Sequence, residues 1–426
     1  MYKICCVVLV LGALASASLQ SDKSEQFLKC FPNNKLSASD PQSISTLLAK
    51  SRLKFSIDFM KKVLKQTKTG DNFFFSPHSI YQALLLALFI SNDHTEKHIK
   101  TALQLPAHID KLDVLQAFKL DSEFDKMRLL NGSVSYEVRN VNRFFYEQSL
   151  SVRDCIGKLF QDELAPLDFK TQPSQSVQQI NEWVSNQTKY QIKEILSNSD
   201  LSEDSKLVLV NAMYFKGLWA SKFLPQDTKK EVFYTRHRNT LVPMMRQKGN
   251  FRYLISEKLS THVIQIPYKG DDISMFILLP PFVDPHGIEF LLEKLNVDVI
   301  AELVEPNYMT ERPVELGVPK FTVEHKLENL VPILQSMGIG DLFNKSADLS
   351  SFTGNRDIFF NDATHKAKVS IDEEGTVAAA ATAVFTFRSS RPLEPIKFIC
   401  NHPFIYFIYD NVSQSILFIG VYNTPA

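Results

Sequence analysis

The stretch from Ile371 to Phe404, IDEEGTVAAAATAVFTFRSSRPLEPIKFICNHPF, constrains the fold of this chain more than any other. It opens on an acidic turn, Asp372-Glu373-Glu374-Gly375, and continues through small or β-branched residues from Thr376 to Val384. A basic, proline-studded segment and an apolar strand follow. Alanine is the best helix former, so Thr376–Val384 can be read as a short helix. Thr376, Val377, Thr382, Val384 and Thr386 favour the extended alternative. Extended, the segment alternates faces, so Thr376, Ala378, Ala380 and Thr382 share one small face that could slide between two strands. Arg391-Pro392 and Glu394-Pro395 favour an extended backbone beyond it. Such residues suit an exposed loop that can also become a central strand.

The chain has 426 residues, 44% of them hydrophobic, enough for a sizeable core in one large domain or two ordinary ones. Lys+Arg and Asp+Glu both total 47, a balance that argues against nucleic-acid or general membrane-surface binding. No apolar run after residue 20 reaches the roughly 20 residues of a membrane span. Met1–Ala17 reads as a secretory signal, with Lys3, an apolar Ile4–Leu14 and a small-residue Ala15-Ser16-Ala17 cleavage site. Its removal takes Cys5 and Cys6 and leaves Cys30, Cys155 and Cys400, so at least one thiol is free or pairs with another molecule. Four sequons, at Asn131, Asn186, Asn344 and Asn411, fit a secreted, extracellular glycoprotein.

Glu373-Glu374-Gly375-Thr376, the run Ala378–Ala381 and the closing Phe398-Ile-Cys-Asn-His-Pro-Phe404 together resemble the hinge and closing signature of the serpins. The resemblance covers about Ile44 to Pro425. It implies an α+β fold of three β-sheets and about nine helices, with an exposed reactive loop at about 373–397. The expected organisation is a signal peptide over 1–17, a flexible extension over 18–43 and one serpin domain over 44–426. The hinge would comprise Glu373, Gly375, Thr376, Ala378, Ala379, Ala380, Ala381 and Thr382.

Taken in order, Ile44–Thr67 has apolar residues at helical spacing and reads as an amphipathic helix. Its Lys61, Lys62, Lys65 and Lys68 read as a solvated face, with a polyanion patch as the alternative. Asn72–Leu85 is a short strand, a turn at Ser76-Pro77 and a buried helix. The resemblance puts Ser76 and Ser79 in the family's hydrogen-bonded shutter, and capping of the helix, the plainer role for two serines at its start, does not exclude that one. Leu112–Leu130 reads as a helix with acidic Asp121, Glu123 and Asp125. Its heparin-binding counterparts are basic, so no heparin activation is expected. Val138–Phe145 reads as a strand and Ile180–Leu196 as a helix. By resemblance, Asn211 in Leu207–Phe223 and His365 in Asn361–Lys368 complete the shutter. Trp219 would mark the top of the main sheet (the breach), where Lys320 would form an exposed ion pair with Glu373. Val263–Pro267 and Met275–Pro280 read as a strand pair, and with Val242–Arg246 and Val314–Phe321 they continue the resemblance in order.

The chain carries no G-x-S-x-G, H-E-x-x-H, Walker-type or C-x-x-C motif, so an enzyme is not expected, nor any cofactor or metal. The resemblance implies a suicide-substrate inhibitor that forms a covalent acyl complex with a serine protease. The family's usual spacing puts Ser389 before the scissile bond, and Arg388 is one residue shorter. Arginine suits the buried aspartate of trypsin-like proteases, which favours Arg388-Ser389. Ser389-Ser390 would suit an elastase-like target and Phe387-Arg388 a chymotrypsin-like one. The sequence most resembles secreted arthropod serpins of haemolymph, which restrain cascades such as melanisation and Toll-type immune signalling, and a monomer is expected. The alternative is a non-inhibitory carrier or storage serpin.

Overall fold

Phe73–Phe75 (β1) is an aromatic strand, and Ser76 ends it by capping the next helix, Pro77–Ile90 (α2). Its hydroxyl accepts from Ser79 N–H at 3.1 Å, and Pro77 occupies the first turn, where no N–H is needed. Every residue of α2 except Gln82 is buried, as befits a helix that is apolar all round. In this computed structural model, which describes residues 30–32, 34, 41–68, 70–130, 136–236, 238–282, 286–373 and 394–425, α2 lies at the centre. It packs against Pro41–Gln66 (α1) and against two sheets.

Helices Asp93–Ala102 (α3) and Lys111–Leu130 (α4) follow, then the strand Tyr136–Glu147 (β2). Asp154–Leu159 (α5), Leu164–Leu167 (β3) and Pro173–Gln187 (α6) lead to Leu207–Gly217 (β4). Further along come Lys229–Tyr234 (β5), Asn239–Ser256 (β6), Thr261–Pro267 (β7), Ile273–Leu279 (β8) and Thr310–Pro319 (β9). The last strands are Phe321–Lys326 (β10), Asp362–Ile371 (β11), Ile396–Ile399 (β12), Phe404–Asp410 (β13) and Ser415–Tyr422 (β14).

Five strands form one sheet in the order β10-β11-β4-β2-β3. At its centre β11 runs parallel to β4, with Val369 opposite Phe215 at their shared C-terminal end. The other nine form a second ladder in which β6, 18 residues long, serves two arms. Its residues 239–244 pair with β5, 244–253 with β9 and 252–256 with β7, so one continuous strand joins what would otherwise be two sheets. Two large apolar clusters fill the spaces against these sheets.

The helix expected over Ile180–Leu196 stops at Gln187. Lys189 and Tyr190 turn left-handed (φ 50° and 62°), and the Thr188 hydroxyl accepts from Ile192 N–H while donating to Val184 O. The Asn181 side chain then holds the backbone N–H groups of Ile195 and Leu196. Ile192, Ile195 and Leu196 still reach the core, so the apolar spacing reported burial and not helix.

At the N-terminal end, Cys30 and Phe31 are buried and Cys30 is disulfide-bonded to Cys155 on α5. Helix α1 starts at Pro41, inside the segment assigned to the extension. The bond closes a loop across a separation of 125 residues. Replacing Cys155 by alanine is expected to cost about 2–4 kcal/mol, measured as a lower midpoint in denaturant unfolding. Cys400, the free cysteine among the described residues, is buried.

Candidate functional site: the breach and shutter of the five-stranded sheet

The site is built where β11 and β4 meet. Midway along this pair, His365 lies opposite Asn211. His365 is fully buried, and its Nε2 accepts from Ser76 N–H at 2.9 Å. That leaves the proton on Nδ1, which donates to Asn211 Oδ1. Asn211 Nδ2 in turn donates to Ser79 O at 3.1 Å, to the Ser79 hydroxyl and to Asn142 Oδ1. Ser79 Oγ donates to Asn140 Oδ1 at 2.6 Å, and Ser76 Oγ points at Met213 Sδ. The network therefore ties α2 to β2, β4 and β11, on both sides of the central parallel pair. Burial, with a smaller push from His325, lowers the His365 pKa to about 3, so the imidazole is neutral at physiological pH.

The four residues Ser76, Ser79, Asn211 and His365 come together, and Ser76 also caps α2. Sequence reasoning missed Asn140, Asn142 and Met213. Two asparagines on one face of a strand, where that residue type is depleted, were the available signal.

At the C-terminal end of the pair, Trp219 follows β4 and bridges to Tyr268. The rings stack with centroids 4.4 Å apart. A side chain at Gly217 would collide with the Tyr268 ring, so glycine closes β4. Trp219 Nε1 donates to Asp372 O at 2.9 Å, gripping the first residue beyond β11. Lys320 Nζ lies 2.6 Å from Glu373 Oε2, and Thr228 Oγ1 donates to Glu373 Oε1 at 2.9 Å. The pair is not the exposed one expected: the Glu373 side chain is only 10% exposed, while Lys320 is 46% exposed. Burial pushes the Glu373 carboxyl up, but the bonds from Lys320 and Thr228 outweigh it and hold the pKa below the usual range. Thr228, far away in sequence, was not anticipated.

Glu373 is the last described residue of the hinge. Gly375, Thr376, Ala378, Ala379, Ala380, Ala381 and Thr382, the proposed bait Arg388 and Ser389, and the sequon Asn131 lie outside the described residues. The other sequon asparagines, Asn186, Asn344 and Asn411, are exposed.

Reversing the charge in Glu373→Lys would face a second ammonium toward Lys320 and leave Thr228 without its acceptor. We expect a loss of about 2–3 kcal/mol, read as a lower first unfolding transition. A midpoint equal to that of the parent chain would show that the clamp carries no load.

The comparisons with known proteins agree with this architecture. A family model described as Serpin (serine protease inhibitor) matches residues 50–425. Serine protease inhibitor 88Ea of Drosophila melanogaster is 39% identical over 398 residues, covering 89% of this chain and 91% of that protein. The leukocyte elastase inhibitor of Sus scrofa is 34% identical over 388 residues, covering 89% and 99%. The solved structure of uncleaved ovalbumin superposes with a TM-score of 0.77 at 27% identity, covering 89% of this chain and 100% of the other. With the match spanning nearly all the described sheets and helices, this chain belongs to the serpin family of serine protease inhibitors.

Proposed function

We propose that the chain is a secreted, monomeric suicide substrate that traps a trypsin-like serine protease and so restrains an extracellular proteolytic cascade. It is an inhibitor and not an enzyme: the protease supplies the nucleophile. By resemblance to arthropod serpins of haemolymph, the cascades are of the melanisation or Toll-type immune class.

One observation carries the reading. β4 and β11 are parallel neighbours, and the chain leaves β11 at their shared C-terminal end. A segment turning back after Glu373 would run antiparallel to both and bond to both. That exchanges one parallel pairing for two antiparallel ones, which are slightly more stable per residue. The protease serine attacks the Arg388 carbonyl carbon, its hydroxyl proton passes through the protease histidine to the Ser389 nitrogen, and the peptide bond breaks to leave an ester. The freed hinge inserts with Thr376, Ala378, Ala380 and Thr382 facing inward. The attached protease is dragged until its oxyanion hole no longer forms, and water cannot complete deacylation. The metastable starting sheet supplies the driving force. The Cys30–Cys155 disulfide and the apolar leader support secretion into an oxidising compartment.

The test is to mix the purified protein with trypsin and run a denaturing gel, then sequence the released fragment. A detergent-stable band near the summed masses, with a fragment beginning at Ser389, supports the reading. A fragment beginning at Ser390 would move the bait to Ser389 and the target towards elastases, the class in the name of one relative. Cleavage without a complex, and without a rise in the melting temperature of the cleaved chain, would point instead to a non-inhibitory carrier or storage role.

A further inference from the structure

A groove runs between the C-terminal end of α1 and the helix Gly287–Lys294 (α7), beside the end of β14. It holds two adjoining cavities, of about 420 and 430 Å³, that share Gly70, Ile288, Glu289 and Asn423 as walls. Each falls within the roughly 300–1,000 Å³ of small-molecule sites. Leu64, Ile288, Leu292 and Val421 give the first cavity its apolar lining. Tyr234, Phe282 and His402 line the second. Tyr234 and Phe282 stand 37% and 58% exposed with ring centroids 5.0 Å apart, so large aromatic surface faces water at this end.

The two ends differ in charge. Lys61 and Lys65, one helical turn apart on α1, and Lys68 just past its end all line the first cavity. Among the described residues none of the three has an ion-pair partner. Glu289 is already matched by Arg236, at 2.7 Å. The three ammonium groups then face two carboxylates, Asp71 and Glu293, and one positive charge is left over. In the second cavity the Arg236–Glu289 pair is neutral as a unit, and burial holds the His402 imidazole below its usual pKa. The groove is therefore cationic at one end and aromatic, without net charge, at the other. We propose that it binds a long-chain monocarboxylate, with the head group at Lys61, Lys65 and Lys68 and the tail passing Ile288 to Tyr234 and Phe282.

The strands that contribute walls, β5 and β14, belong to the nine-stranded ladder and not to the five-stranded sheet that would take up the loop. The site therefore stands apart from the inhibitor reading. It adds carriage of an amphiphile, a function that cutting the loop leaves in place.

The experiment titrates the intact protein by calorimetry with octanoate, decanoate and laurate, each kept below its micelle concentration. Saturable one-to-one binding is expected, with a dissociation constant for laurate on the order of 0.1–1 mM. Affinity should rise about two- to fourfold with each added methylene. Dodecyltrimethylammonium, with the same chain and the opposite head, should bind about tenfold more weakly than laurate. Lys65→Glu combined with Lys68→Glu, both at exposed positions, should weaken laurate about tenfold, and Phe282→Ser about threefold. No saturable binding up to about 10 mM, affinity that ignores chain length, equal binding of the cationic analogue, or unchanged affinity in both variants would overturn the proposal. The chain-length series uses the parent chain, so it decides alone should a variant fail to fold. Trypsin-treated protein should bind laurate as the intact chain does, whether or not a detergent-stable complex forms. Binding lost on cleavage would place the ligand in the sheet that moves and overturn this site.

Discussion

Replacing Ala380 by arginine is expected to turn the inhibitor into a substrate: trypsin still cuts the loop, but the detergent-stable complex disappears. The argument is one of face and burial. In an inserted strand, alternate residues point into the molecule, and Ala380 shares the inward set with Thr376, Ala378 and Thr382. Sliding a guanidinium into that space, with no carboxylate to meet it, costs at least about 3 kcal/mol. A barrier raised by that amount slows insertion roughly 100-fold, while hydrolysis of the acyl-enzyme proceeds unhindered. Val377→Arg is the matched control, because position 377 faces outward on the same period-two pattern and should leave inhibition nearly intact. Titrating active trypsin against each variant and counting molecules consumed per protease inhibited separates them. Equal damage from both would sink the strand-insertion reading, because a flexible tether has no inward face.

The second large effect is a loss of stability in mild acid, centred on the buried histidines. His365 and His78 are both held to about 3 in the folded chain, chiefly by burial. In the unfolded chain each titrates near its ordinary value of about 6.5. The folded pKa is the lower one, so the contribution is complete above about pH 7. It falls as pH drops from about 6.5 towards 3, where the unfolded chain alone binds protons. For each histidine the loss approaches about 1.4 kcal/mol per pH unit below pH 6.5, or about 2.7 kcal/mol between pH 7.5 and 4.5. Asp125, raised to about 6 by burial, works in the opposite direction and offsets part of it. A His365→Gln variant isolates one proton, since glutamine can still accept from Ser76 N–H but does not titrate. Its denaturant midpoints should lie below those of the parent at pH 7.5 and close the gap by that amount at pH 4.5. A gap that stays constant with pH would mean that His365 is charged in the folded chain and the network is drawn with the wrong proton.

The apolar α2 and the cap at Ser76 were legible because each is local. A buried helix and a helix start are set by residues within a few positions of one another. Family resemblance also brought Ser76, Ser79, Asn211 and His365 onto one list, although no spacing rule links positions up to 289 residues apart. What the tertiary structure decided is of another kind. Thr228 meets Glu373 across 145 residues, and Tyr268 meets Trp219 only because Gly217 leaves room for its ring. The Asn181 amide ends a helix that the apolar spacing would have continued to Leu196. The Cys30–Cys155 pairing was one of three possible among Cys30, Cys155 and Cys400 until the fold buried Cys400 elsewhere. Local chemistry is written in neighbouring residues and can be read there. Which distant polar groups satisfy one another depends on how the sheets and helices close around them.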